Sequence, residues 1–71
     1  MPHWWVPLRP SKPAERKKKT EEKLGADKVE SFWANPGETR CYALVRNCNR
    51  SDLAGLPIPE GEAPIELKRV D

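Results

Sequence analysis

Apolar and polar residues alternate in four short segments of the chain, which is the pattern of half-buried β-strands. The segments comprise residues 3–9, 28–34, 39–46 and 64–70. The stretch between the first two, residues 13–24, consists of strong helix formers and is followed by Gly25, a frequent helix terminator. The pattern predicts the order strand, helix, strand, strand, strand.

Two loops complete the predicted architecture. Residues 35–38, Asn-Pro-Gly-Glu, have the composition of a turn and join the second and third strands as a hairpin. After the third strand, Ser51 or Asp52 starts a single helical turn through Leu56, which Pro57 ends.

This order of elements indicates one α+β domain over residues 1–71, with a ferredoxin-like antiparallel sheet and one main helix. A right-handed crossover through the helix would place the third strand between the first and the second. Of the 71 residues only 37% are hydrophobic, so the core must be thin.

Strand alternation assigns the side chains to two faces of the sheet. The face under the helix is predicted to carry Trp4, Val6, Leu8, Val29, Trp33, Cys41, Ala43, Val45, Ile65 and Leu67. The other face is predicted to carry His3, Trp5, Arg9, Glu30, Phe32, Arg40, Tyr42, Leu44, Arg46, Glu66 and Lys68. On the helix, Ala14 and Leu24 are the apolar positions, with the stems of Lys17 and Glu21 between them.

The charge and the two cysteines bear on the partner and on the cellular compartment. The net charge of +2 identifies no partner, and the basic run over residues 16–19 reads as a solvated helix face. Cys41 and Cys48 would lie about 23 Å apart on one strand at about 3.3 Å per residue, so we expect free thiols unless the chain turns back. Free thiols favour a reducing compartment. The sequence shows neither the pattern of a signal peptide nor an apolar run long enough to span a membrane. We therefore expect a cytoplasmic protein without membrane contact.

Sites for catalysis or metal are weakly indicated. His3, Cys41 and Cys48 are the candidate zinc ligands, but the predicted faces separate His3 from Cys41 and the chain has no Cys-x-x-Cys pair. We therefore expect no metal and no cofactor. If Met1 is removed, the amine of Pro2 becomes a candidate base of tautomerase type, with Arg9, Arg40 or Arg46 binding a carboxylate. No catalytic motif supports this reading, and we expect a non-catalytic protein.

The first nine residues and residues 22–34, Glu-Lys-Leu-Gly-Ala-Asp-Lys-Val-Glu-Ser-Phe-Trp-Ala, resemble the GYD-type group of dimeric α+β barrel proteins. The chain departs from that group in its Asn35–Glu38 turn, its short charged helix and its nearly absent second helix. The resemblance implies a ferredoxin-like fold that pairs through its sheet faces. Relatives of this kind bind small ligands or transform small aromatic molecules, and none of their catalytic residues can be matched here.

An aromatic sheet face of this kind requires a partner, because a large apolar patch is rarely left in water. We expect a homodimer or higher oligomer, with a larger assembly as the alternative and a small aromatic ligand enclosed beside His3 and Trp5. The predicted interface and ligand residues are His3, Trp5, Arg9, Phe32, Arg40, Tyr42, Leu44 and Arg46.

Single-stranded nucleic acid is the competing partner. Residues 40–45, Arg-Cys-Tyr-Ala-Leu-Val, resemble the third-strand motif of RNA recognition motif domains, without its glycine and its second aromatic residue. In that reading Trp5 supplies the stacking platform on the first strand.

Overall fold

The computed structural model describes residues 2–70 and follows the predicted order of elements. Its strands are β1 (His3–Leu8), β2 (Val29–Ala34), β3 (Cys41–Val45) and β4 (Ile65–Leu67). The helix α1 spans Pro13–Leu24, a 3₁₀ turn follows at Ala26–Lys28, and a short helix α2 spans Arg50–Leu53. The α+β class and the single main helix are confirmed.

The four strands form one sheet in the order β2-β3-β1-β4, and every neighbouring pair is antiparallel. The predicted position of the third strand, between the first and the second, is confirmed. This order is compatible with a ferredoxin-like arrangement in which the second crossover helix is reduced to a single turn.

The helix α1 begins at Pro13, whose ring favours the first helical turn, and ends where the Gly25 N–H donates to the Glu21 carbonyl at 2.8 Å. Its buried residue is Thr20, whose hydroxyl donates to the Arg16 carbonyl at 2.7 Å and is thereby satisfied. The prediction for Ala14 was wrong, because that side chain is exposed. The helix turns its Thr20–Leu24 side to the sheet instead.

The core lies on the face of the sheet that α1 covers. The alternation predicted for β1 and β3 is confirmed, since every second residue of these strands is buried there. The buried apolar residues are Trp4, Val6, Leu8, Cys41, Ala43, Val45, Cys48, Leu53 and Leu56. The last three follow β3, so the segment around α2 completes the cover that the short, charged α1 cannot provide alone.

A β-bulge in β2 exchanges the faces predicted for two aromatic residues. Val29 pairs with Val45 and Ser31 with Leu44, which leaves Glu30 as the extra residue. From that point Phe32 opposes Ala43 and Trp33 opposes Tyr42. Because directly opposed residues share a face, Phe32 packs against the core and Trp33 points to the other side. The predicted placement of Phe32 on the interface face was therefore wrong.

The last strand, β4, is shorter than predicted, and its side chains lie on the faces of the sheet opposite to those predicted. Ile65 opposes Trp5 and Leu67 opposes His3, so both apolar side chains lie on the face away from α1. They remain 57% and 37% exposed, respectively. The prediction that they point inward was wrong, because the pairing register with β1, and not the alternation within β4, decides the face.

The loop between β2 and β3 is organised by one side chain. Asn35 Oδ1 accepts from the backbone N–H groups of Thr39 and Arg40, each at 2.8 Å, and its Nδ2 donates to Thr39 Oγ1 at 2.8 Å. The predicted turn over residues 35–38 is confirmed, with the Glu38 N–H donating to the Asn35 carbonyl at 2.8 Å.

The helix α2 starts at Arg50, before either of the predicted starts, Ser51 and Asp52, and ends at Leu53 instead of Leu56. Asn49 is its N-cap and forms a capping box with Asp52, whose carboxylate accepts from the Asn49 N–H at 2.7 Å. Neither Ser51 nor Asp52 is the cap, because Asn49 precedes them by two and three residues and the helix has already begun at Arg50.

Gly25, at the end of α1, has a backbone conformation that residues with a side chain rarely adopt. Its φ is 103° and ψ is 134°, and an added Cβ would lie 2.9 Å from Asp27 Oδ1. We expect Gly25→Ala to lower the free energy of unfolding by about 1–3 kcal/mol. Gly37→Ala is the matched control, because Gly37 lacks a positive φ and a new Cβ there meets no atom closer than 3.9 Å. Equal urea midpoints for the two variants would contradict this prediction.

Candidate sheet-face binding site

The face of the sheet away from α1, termed the open face, carries a continuous set of large side chains. The strand register places there His3, Trp5, Pro7, Ser31, Trp33, Tyr42, Leu44, Ile65 and Leu67. The predicted site residues His3, Trp5, Tyr42 and Leu44 are thus brought together on one surface.

Four of these residues form a band that crosses all four strands, here called the apolar band. Trp33 on β2 opposes Tyr42 on β3. The Tyr42 ring stacks on Trp5 of β1, with ring centroids 5.4 Å apart and planes 14° apart. Trp5 in turn opposes Ile65 on β4. The two ends of the band, Trp33 and Ile65, are 55% and 57% exposed.

Two polar side chains beside the apolar band, Trp33 and His3, have partners within the chain. The Trp33 indole N–H donates to Ser31 Oγ at 2.8 Å. His3 Nε2 lies 3.2 Å from Glu30 Oε2, a contact made available by the bulge. A partner that covered Trp33 would not strand its indole donor, which lowers the cost of removing water from this part of the open face.

The predicted arginines lie around the open face and are engaged in the fold. Arg40 Nη2 forms an ion pair with Glu62, and its guanidinium lies 5.9 Å from the centre of the Tyr42 ring. The Arg40 Nε is buried and has no hydrogen-bond partner among the described residues. Arg46 Nε donates to the Asp27 carbonyl at 2.9 Å. Arg9 is exposed beyond the end of β1 and contributes its backbone to contacts with Pro57 and Arg16.

Trp33, Ile65 and Leu67 were missed as members of this site. The bulge at Glu30 shifts Trp33, and the β1–β4 register shifts the other two. An apolar residue at each of these positions is visible in the sequence, but both features that assign its face depend on pairing between strands.

A cleft of about 270 Å³ opens at the end of the open face where β1 begins. His3 and Glu30 form one wall, Leu44 and Leu67 supply apolar surface, and the remaining lining residues are Lys68 and Arg69. The His3 and Glu30 side chains are 36% and 41% exposed, so the cleft is accessible from solvent.

The two thiols lie under the sheet, away from His3. Both cysteines are free and buried, and Cys48 Sγ donates to the Arg46 carbonyl at 3.3 Å. Burial raises the pKa of the Cys48 thiol above its ordinary value of 9.0, so the neutral thiol is the favoured form. Between residues 2 and 70, no three histidine, cysteine or acidic side chains lie close enough to hold a metal ion.

The geometry separates the residues of the tautomerase reading. Pro2 precedes β1, whereas Arg9 follows it, about 23 Å away at about 3.3 Å per strand residue. Arg40 lies at the same far end, since the adjacent Cys41 pairs with Leu8. Only Arg46 of the three lies near Pro2, and its Nε is bonded to the backbone carbonyl of Asp27.

No family model, curated protein or solved structure matches the chain. Over residues 2–70, none of the helices combines the length and the apolar character needed to cross a bilayer.

Proposed function

We propose that this chain is a non-catalytic binding or structural subunit that pairs with a second copy of itself through the open face. The observation that carries the proposal is the apolar band, whose two ends are more than half exposed while its two middle rings are stacked on each other. Three large apolar side chains exposed on one face, Trp33, Ile65 and Leu67, exceed what scattered surface residues explain.

The local charges favour a protein surface as the partner. Glu62 balances Arg40 at one end of the open face, and Glu30 faces His3 at the other. Because Arg40 is already paired with Glu62 and the cations of the cleft lie at one end of the face, a polyanion would meet few free charges along the strands, whereas another apolar face can cover the apolar band.

Two-fold pairing suits this surface because the same patch serves both copies. Closed two-fold dimers are the commonest soluble oligomers. Four strands spaced about 4.8 Å apart give the face a width of about 19 Å. The area that such a narrow face can bury is small for a stable interface. The proposal therefore needs the whole apolar band, and loss of its two ends should be decisive. The resemblance to dimeric α+β barrel proteins implies the same mode of pairing.

The decisive measurement is the mass in solution of the wild type and of the double variant Trp33→Lys/Ile65→Lys. Both side chains are already exposed in the protomer, so the fold should tolerate the change. The wild type should sediment as a dimer and the variant as a folded monomer, because four lysines would meet across the interface.

Val70→Lys is the matched control, since Val70 is 97% exposed and lies outside the sheet. It should leave the dimer intact. A monomeric wild type at concentrations of about 100 μM, well above the range of specific pairing, would overturn the proposal.

Single-stranded nucleic acid is the second candidate, because Trp5 and Tyr42 lie on β1 and β3, the strands used by RNA-binding modules of this topology. The two rings, however, cover one face of each other, and Arg40 packs near Tyr42. Salt-sensitive binding of an oligonucleotide that Trp5→Ala abolishes, in a monomeric wild type, would favour this candidate over pairing.

A further inference from the structure

We propose that the cleft lined by His3, Glu30, Leu44, Leu67, Lys68 and Arg69 binds a small carboxylate with an apolar body, such as a single-ring aromatic acid. The proposal deepens the proposed function, and rests on it only for the closure of the cleft, which a second copy on the open face would roof. All six lining residues belong to one protomer.

The charges in the cleft select an anion. Lys68 and Arg69 contribute two positive groups, whereas the single acidic group, Glu30, is already turned toward His3 at 3.2 Å. Lys68 forms no ion pair with any of the described residues. A ligand carboxylate would thus meet a cation that the fold has not already paired.

The apolar surface and the size of the cleft restrict the rest of the ligand. Leu44 and Leu67 present apolar surface beside the cationic groups, so an inorganic anion would leave that part of the cleft unused. The volume of about 270 Å³ lies just below the usual range of ligand pockets, about 300–1,000 Å³. A ligand with one ring matches this volume.

His3 has a positioning role in this arrangement. Glu30 faces its Nε2 and thereby orients the imidazole ring, which leaves Nδ1 as the ring nitrogen available to a ligand. Because Glu30 is the extra residue of the bulge, the irregularity in β2 is what brings this carboxylate to His3.

The test is an NMR titration of the wild-type protein with benzoate, observed at the methyl groups of Leu44 and Leu67. Benzyl alcohol, which keeps the ring without the charge, and acetate, which keeps the charge without the ring, are the comparison probes. We expect saturable shifts with benzoate. Benzyl alcohol should bind about fivefold more weakly, the factor of one solvent-exposed ion pair. Acetate should bind at least about fivefold more weakly, because it lacks the ring that buries apolar surface.

Lys68→Gln should weaken benzoate about fivefold, whereas Lys18→Gln, on the exposed side of α1, should leave it unchanged. Equal binding of benzoate and benzyl alcohol, no effect of Lys68→Gln, or shifts that do not saturate would each overturn the proposal. The sedimentation mass of the same sample separates the two ideas. A dimer that does not bind benzoate defeats the ligand site alone, and a monomer that binds it defeats the pairing alone.

Discussion

Trp4→Ala will lower the free energy of unfolding by about 3–5 kcal/mol, the usual cost of truncating a buried aromatic side chain. Trp4 is 3% exposed at the centre of the core, and its indole N–H donates to the Cys48 carbonyl at 2.9 Å. The Arg50 guanidinium also lies 5.5 Å from its ring. The substitution therefore removes apolar packing and also leaves a buried carbonyl without its donor. The combined loss is a large fraction of the free energy of unfolding expected for a 71-residue domain.

Trp4→Phe separates the two contributions, because phenylalanine keeps most of the ring area and loses the donor. Its cost should be about 1–3 kcal/mol, the penalty of an unsatisfied buried acceptor. Urea unfolding at one fixed protein concentration measures both values, since the proposed pairing would make stability depend on concentration. Val70→Ala, at an exposed site, is the control and should change nothing. Equal losses for the phenylalanine and alanine variants would contradict the packing argument.

Leu53→Ala will cost about 2–5 kcal/mol, although Leu53 belongs to a helix of four residues. Its side chain is 1% exposed and fills the part of the core that α1 does not cover. A short helix cannot be stable by itself, so α2 is held in place by this burial and by its capping box.

Asn49→Ala tests the cap separately and should cost about 0.5–2 kcal/mol. Ser51→Ala, at an exposed position of the same helix, is the matched control. The urea midpoint of unfolding should be highest for Ser51→Ala, lower for Asn49→Ala and lowest for Leu53→Ala. A larger loss for Asn49→Ala than for Leu53→Ala would show that the cap, and not core burial, anchors this segment.

The elements of the fold were predictable where local chemistry decides them. Pro13 and Gly25 delimit α1 through backbone restrictions that act within one turn, and both bounds were found. The alternation in β1 and β3 was also unambiguous, because one side of each strand is uniformly apolar. Thr20 was missed as the buried residue of α1, since a satisfied hydroxyl can pack against a sheet although the residue type is usually exposed.

The site was only partly predictable because its membership depends on contacts between strands. Trp5, Tyr42 and Leu44 were assigned from alternation within their own strands. The alternation predicts the wrong face for Phe32 and does not place Ile65 in the site, because a bulge and a register are properties of a strand pair. With apolar side chains on both faces of the sheet, hydropathy alone cannot choose between them.

The surplus residue at Glu30 also governs which changes of length the chain can accept. Deleting one residue there would convert the irregular pair into a regular one and leave Phe32 and Trp33 on their present sides. The same deletion closer to the hairpin would invert both rings, expelling one from the interior and forcing the other beneath the helix. Across evolution, insertions and deletions in this strand should therefore accumulate at position 30.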